Sequence, residues 1–107
     1  MDTLAKILVV DDDQSIRDVL HIQLENKGYS VSEASNGKEA IQFIESNSDI
    51  DLIILDIMMP ELSGLEACTE IRKISSAPIL FLTAKSKETD KTIAYSTGGV
   101  DYLVKPF

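Results

Sequence analysis

A chain of 107 residues, 44% apolar and 26% charged, holds one globular domain and one core. Its net charge of −8 argues against direct contact of this segment with nucleic-acid phosphates or an anionic membrane surface. A single cysteine excludes an internal disulfide framework and suits a reducing compartment, and no apolar run approaches the roughly 20 residues of a membrane span. The short apolar run near the N-terminus meets three aspartates and is no signal peptide, so a cytoplasmic location is expected.

The run Ile7-Leu8-Val9-Val10 predicts a first strand over 6–10 and delivers Asp11, Asp12 and Asp13 at its end. A continuous aliphatic run of this kind belongs to a strand buried on both faces, as in parallel sheets. Residues 14–27 place Ile16, Val19, Leu20 and Leu24 on one helical face, with Asp13 as N-cap and Gly28 as the stop. A second strand over 30–34 leads to a helix over 37–46, which groups Ala40, Ile41 and Ile44. Leu52-Ile53-Ile54-Leu55 predicts a third strand, with Asp56 at its end. A helix over 63–74 carries the stripe Leu65, Cys68, Ile71, which makes Cys68 a packing residue rather than a reactive thiol. The fourth strand, over 78–82, delivers Thr83, and the fifth, over 102–104, delivers Lys105. Between them the segment from Ser86 to Thr97 is a poor helix with a thin apolar face. Its composition fits a marginal surface helix and a surface meant to move equally well. A sheet of this type should carry a fifth helix after the last strand, but the chain stops at Phe107. Either it is truncated there or a second copy or partner supplies the missing layer.

Alternating β and α elements imply right-handed crossovers and a five-stranded parallel sheet with helices on both faces. Taking over the flavodoxin-like doubly wound order 2-1-3-4-5 brings Asp11, Asp12 and Asp56 together at the rim where such folds keep their ligand sites. Packed carboxylates repel unless a cation joins them. Mg²⁺ suits this set, because it takes one or two carboxylates, keeps waters and accepts a phosphoryl oxygen. A backbone carbonyl just past Asp56, that of Met58, could complete the oxygen shell. A carboxylate can attack phosphorus to form an aspartyl phosphate, provided that positive charge offsets the anionic encounter. Lys105 supplies such a charge, and the Thr83 hydroxyl can donate to a phosphoryl oxygen.

These residues resemble a bacterial two-component response-regulator receiver domain over essentially the whole chain. The resemblance rests on Ile7 to Asp13 (ILVVDDD), Leu55 to Leu65 (LDIMMPELSGL), Leu82 to Lys85 (LTAK) and Gly98 to Phe107 (GGVDYLVKPF). It implies that Asp56 accepts phosphate from a sensor histidine kinase, that Asp11, Asp12, Asp56 and the Met58 carbonyl hold Mg²⁺, and that Lys105 pairs with the phosphoryl group. The Lys105–Pro106 bond is then expected to be cis. It also implies a switch in which Thr83 moves toward the phosphate and Tyr102 turns from exposed to buried, reshaping the surface around 83–104. Shifting a population from about 1% to 99% takes roughly 5.5 kcal/mol, so one phosphate should bias the switch only in part.

The motifs lie nearest the OmpR/PhoB-type branch, whose receivers precede a DNA-binding output domain, so control of transcription is expected. In that reading the chain is a phosphoacceptor that assists its own phosphorylation and dephosphorylation, not a turnover enzyme. The branch's usual G-A-D-D-Y stretch reads Gly98-Gly99-Val100-Asp101-Tyr102 here. With the fifth helix missing as well, a homodimer of altered or swapped form is expected. A rival from another class is an aspartate-nucleophile phosphohydrolase of haloacid dehalogenase type. For that reading LVVDDDQSI offers Asp11 as nucleophile, but a later acidic pair is missing.

Overall fold

The aliphatic runs become the strands of one sheet. A computed structural model describes residues 5–57, 59, 62–83 and 101–104 of the chain, with Thr83 and 101–104 described by their backbone. In chain order the elements are β1 (Lys6–Val10), α1 (Gln14–Asn26), β2 (Ser30–Ala34), α2 (Gly37–Ser46), β3 (Leu52–Asp56), α3 (Gly64–Ile71), β4 (Ile79–Thr83) and β5 (Asp101–Val104). The sheet has five strands in the order β2-β1-β3-β4-β5, all neighbours parallel. This is the expected flavodoxin-like arrangement. The weak helix expected over 86–97, Met58, Val100, Lys105 and Pro106 lie outside the described residues.

Side chains alternate across the pleat, so each central strand feeds two cores. Leu8, Val10, Ile53, Leu55, Ile79 and Phe81 pack with residues of α2 and α3, while Ile7, Val9, Ile54 and Leu82 pack against Leu20 of α1. Full burial of one such side chain stabilises the fold by about 1.5–3 kcal/mol. Cys68 is fully buried in the first cluster, as its place on the α3 stripe predicts.

The helix termini follow local chemistry. The Asp13 side chain caps α1 by accepting from the Ser15 amide at 2.9 Å. Gly28 follows the helix with φ 97°, a left-handed backbone that a side chain would disfavour. Ser63 and Glu66 form a reciprocal capping box at the start of α3. That helix ends at Ile71, short of the expected 74. Its continuation tightens into i→i+3 bonds, with the Lys73 amide donating to Glu70 and the Ile74 amide to Ile71.

One expected core position is wrong. Val19 is 43% exposed, and Arg17 is buried instead. At about 100° per residue, Arg17 lies about 60° from Leu20 around the helix and Val19 about 100° away on the other side. Leu20 marks the centre of the buried stripe, so Arg17 falls inside it and Val19 at its edge.

Glu39, in the first turn of α2, accepts from the Ser35 amide and hydroxyl, both at 2.8 Å. These bonds hold its carboxyl below its ordinary value of 4.5, with a smaller contribution from Arg17. Because the folded pKa is the lower one, the stabilisation is present above the ordinary value and disappears as pH falls through the folded value. Glu39→Gln should therefore lower the urea midpoint at neutral pH. The gap to the wild type should close on acidification below the ordinary carboxylate range.

Candidate metal centre

Three carboxylates meet at the carboxyl ends of β1 and β3. Pairing of Val10 with Leu55 sets the two strand ends level, so the residues that follow leave the sheet side by side. Asp11 is fully buried, Asp56 is 3% exposed and Asp12 is exposed at the rim. One oxygen from each lies within 4.8 Å of the other two.

The Asp11 turn is held at several points. Its amide donates to the Ala34 carbonyl of β2 at 3.2 Å, and its Oδ1 accepts from the Asp13 amide at 2.9 Å. Its carbonyl accepts from Nη1 of Arg17. Asp56 is held through the backbone on either side of β3. The Ile57 amide donates to Leu82 of β4 at 3.0 Å, and the Gly64 amide at the start of α3 donates to Ile57 at 2.9 Å. The approach of α3 is so close that a Cβ on Gly64 would lie 2.0 Å from the Asp56 carbonyl oxygen.

The donor set fits Mg²⁺. All three groups offer oxygen, the hard ligand that this ion selects. The three oxygens lie close enough together for one small ion to reach them all. Without a cation the three groups repel one another, so a divalent ion has a large electrostatic advantage here.

Other expected participants are placed by register. Thr83 ends β4, one residue beyond the Leu82 that pairs with Asp56, and its backbone pairs with Val104 of β5. Tyr102 pairs with Phe81 through the backbone. Lys105 follows Val104 directly in the chain. Lys105 and Met58 are outside the described residues, as are the side chains of Thr83 and Tyr102.

One residue with a hold on the site, Arg17, escaped the sequence reading. Arg17 carried a signal, because a cation falling within an apolar helical stripe needs buried partners. Gly64 lies in the LDIMMPELSGL stretch that carries the resemblance, and only its close approach to the Asp56 carbonyl was not foreseen.

Comparison with known proteins agrees with this fold. The family model of the response regulator receiver domain matches residues 7–107. The uncharacterized transcriptional regulatory protein YrkP of Bacillus subtilis is 53% identical over 102 residues, spanning 95% of this chain and 43% of that protein. The alkaline phosphatase synthesis transcriptional regulatory protein PhoP of the same organism is 48% identical over 103 residues, spanning 95% of this chain and 42% of that one. The chain thus spans less than half the length of these curated relatives, which are regulators of the OmpR/PhoB type. A crystal structure of a two-component response regulator from Clostridium difficile superposes with a TM-score of 0.92 at 38% identity, covering 96% of this chain and 84% of that one. The chemotaxis protein CheY4 of Vibrio cholerae superposes at 0.91 with 34% identity, covering 98% and 89%. The chain belongs to the response regulator receiver domain family, and with it to two-component signalling.

Proposed function

We propose that residues 1–107 form the phosphoacceptor part of a regulator, with Asp56 taking a phosphoryl group from a sensor histidine kinase. The observation that carries this reading is the meeting of Asp11, Asp12 and Asp56, with Asp56 nearly buried on a central strand. An Asp56 oxygen attacks the phosphorus of a phosphohistidine. The P–O bond forms as the P–N bond breaks, and the imidazole leaves with the bonding electron pair and then takes up a proton. Asp11, Asp12, Asp56 and the Met58 carbonyl hold Mg²⁺, which when bound offsets the negative charge of the phosphoryl oxygens. Lys105 adds a second positive charge and Thr83 a hydrogen bond.

The new charge then draws Thr83 inward, and Tyr102 follows, altering the surface around 83–104. By likeness to transcriptional regulatory relatives, the altered surface controls transcription through an output domain. Self-association of two copies supplies part of the bias. The chain acts as a signalling phosphoacceptor in the cytoplasm and does not itself contact DNA.

Peptide mapping after reaction with acetyl phosphate and Mg²⁺ tests the assignment. Phosphate should appear on Asp56 and should not appear when a chelator is present. Label on Asp11 would instead favour the phosphohydrolase reading. Asp12→Asn should weaken Mg²⁺ binding while stabilising the metal-free domain, since it removes one of three like charges. With separations within 4.8 Å and water-like screening, each of the two repulsions removed is worth about 1 kcal/mol in a urea titration without metal.

A further inference from the structure

We infer that Arg17 is a positioning residue for Mg²⁺ binding, acting by fixing the peptide that links Asp11 to Asp12. This inference rests on the metal-site reading above. Among the described residues the buried polar or charged groups are Asp11, Asp56 and Arg17. A guanidinium that is 9% exposed must be well partnered, and this one joins three segments. Its Nη1 donates to the Asp11 carbonyl, its Nε to Glu33 of β2 at 3.1 Å, and its Nη2 to Gln14 at 3.0 Å. Glu33 is held from its other side by His21, 2.8 Å away.

The geometry gives the first of these bonds a particular consequence. The Asp11 carbonyl belongs to the peptide plane between Asp11 and Asp12, and the two flanking Cα atoms carry two of the three carboxylates. The Asp11 amide and carboxylate are already anchored, to Ala34 and Asp13. The bond from Arg17 fixes the remaining freedom of the turn, the tilt of that plane. The rigid fork of a guanidinium can hold three acceptors in set directions, which the single ammonium of lysine cannot.

Charge and geometry predict opposite signs. A positive charge beside a cation site repels the cation, so loss of Arg17 by charge alone would tighten Mg²⁺ binding. Loss of an anchoring contact behind a metal ligand weakens binding, by about 10–100-fold in comparable outer-shell cases. Glu33 offsets the guanidinium at 3.1 Å, which reduces the charge effect and leaves geometry in control.

The test is Mg²⁺ affinity by calorimetry on the folded wild type, Arg17→Met and Arg17→Lys, with urea stability measured alongside. Both variants are expected to bind about tenfold or more weakly. Unchanged or tighter binding in folded Arg17→Met, or full recovery in Arg17→Lys, would overturn the inference. A nuclear magnetic resonance titration of the wild type guards against variants that do not fold. The Arg17 Nη1–H resonance should shift together with the Asp12 amide as Mg²⁺ binds, and an unmoved Nη1–H beside a shifted Asp12 amide would also overturn it. If the wild type itself binds no Mg²⁺, the metal-site reading fails first. The two failures are therefore distinguishable.

Discussion

Asp56→Asn is expected to abolish phosphate incorporation while leaving the domain folded. The amide keeps the size of the carboxylate but has no anionic oxygen with which to attack phosphorus. Removing a covalent nucleophile costs on the order of 10³-fold or more, since the remaining machinery has no group to act on. The position is 3% exposed at the end of β3, directly after the aliphatic run Leu52 to Leu55. The other buried carboxylate of the cluster, Asp11, is tied to the Asp13 amide at 2.9 Å. Intact-mass measurement after incubation with acetyl phosphate and Mg²⁺ should show one added phosphoryl group on the wild type and none on the variant. Undiminished incorporation in the variant would place the acceptor elsewhere.

The largest structural effect of a single methyl group is expected at Gly64. A Cβ there would meet backbone, at 2.0 Å from the Asp56 oxygen, 2.7 Å from the Asp56 carbonyl carbon and 2.8 Å from the Ile57 Cα. None of these atoms can turn aside as a side-chain tip can. The helix would have to retreat, and α3 carries Ala67, Cys68 and Ile71, all fully buried in the core shared with α2. Overpacking typically costs about 1–3 kcal/mol, and a clash against backbone belongs at or above the top of that range. For a domain of this size, about 3 kcal/mol corresponds to a fall in Tm of about 10 °C or more.

Gly37→Ala is the matched comparison. Its Cβ would meet Leu62 Cδ2 at 2.9 Å and the Ala67 Cβ at 3.2 Å, and the leucine tip can move. Alanine's gain in helix propensity, about 1 kcal/mol, offsets part of that strain. The Gly64 variant should therefore lose several times more stability in urea denaturation than the Gly37 variant. It should also bind Mg²⁺ more weakly, because the clash displaces the backbone that carries Asp56. Equal losses at the two positions would contradict the close approach of α3 to β3.

What could be read from the residues was short-range. Strand identity follows from aliphatic runs such as Leu52 to Leu55, and a run buried on both faces signals a parallel sheet. Asp13 as a cap and Gly28 as a stop depend on bonds and dihedrals within one helical turn. Acidic residues at two strand ends marked the candidate site, because parallel strands put their carboxyl ends on one rim. The box formed by Ser63 and Glu66 was equally legible, three residues apart, but was passed over.

Tertiary structure decided the rest. From sequence, Val19 is expected on the core face of α1, although the period favours Arg17, because no local partner for a buried cation is visible there. Arg17 takes the buried place because Glu33, 16 residues away on β2, and the Asp11 carbonyl receive its hydrogen bonds there. Gly64 is required because the start of α3 lies against the Asp56 carbonyl, a distance no local pattern encodes. By itself the sequence determined which segments are strands and helices and which of them end in acid, since those properties depend on near neighbours. Which acids share a site, which cation is buried behind them and where a methyl group cannot fit depend on strand order and helix docking, and these were settled only when distant segments packed together.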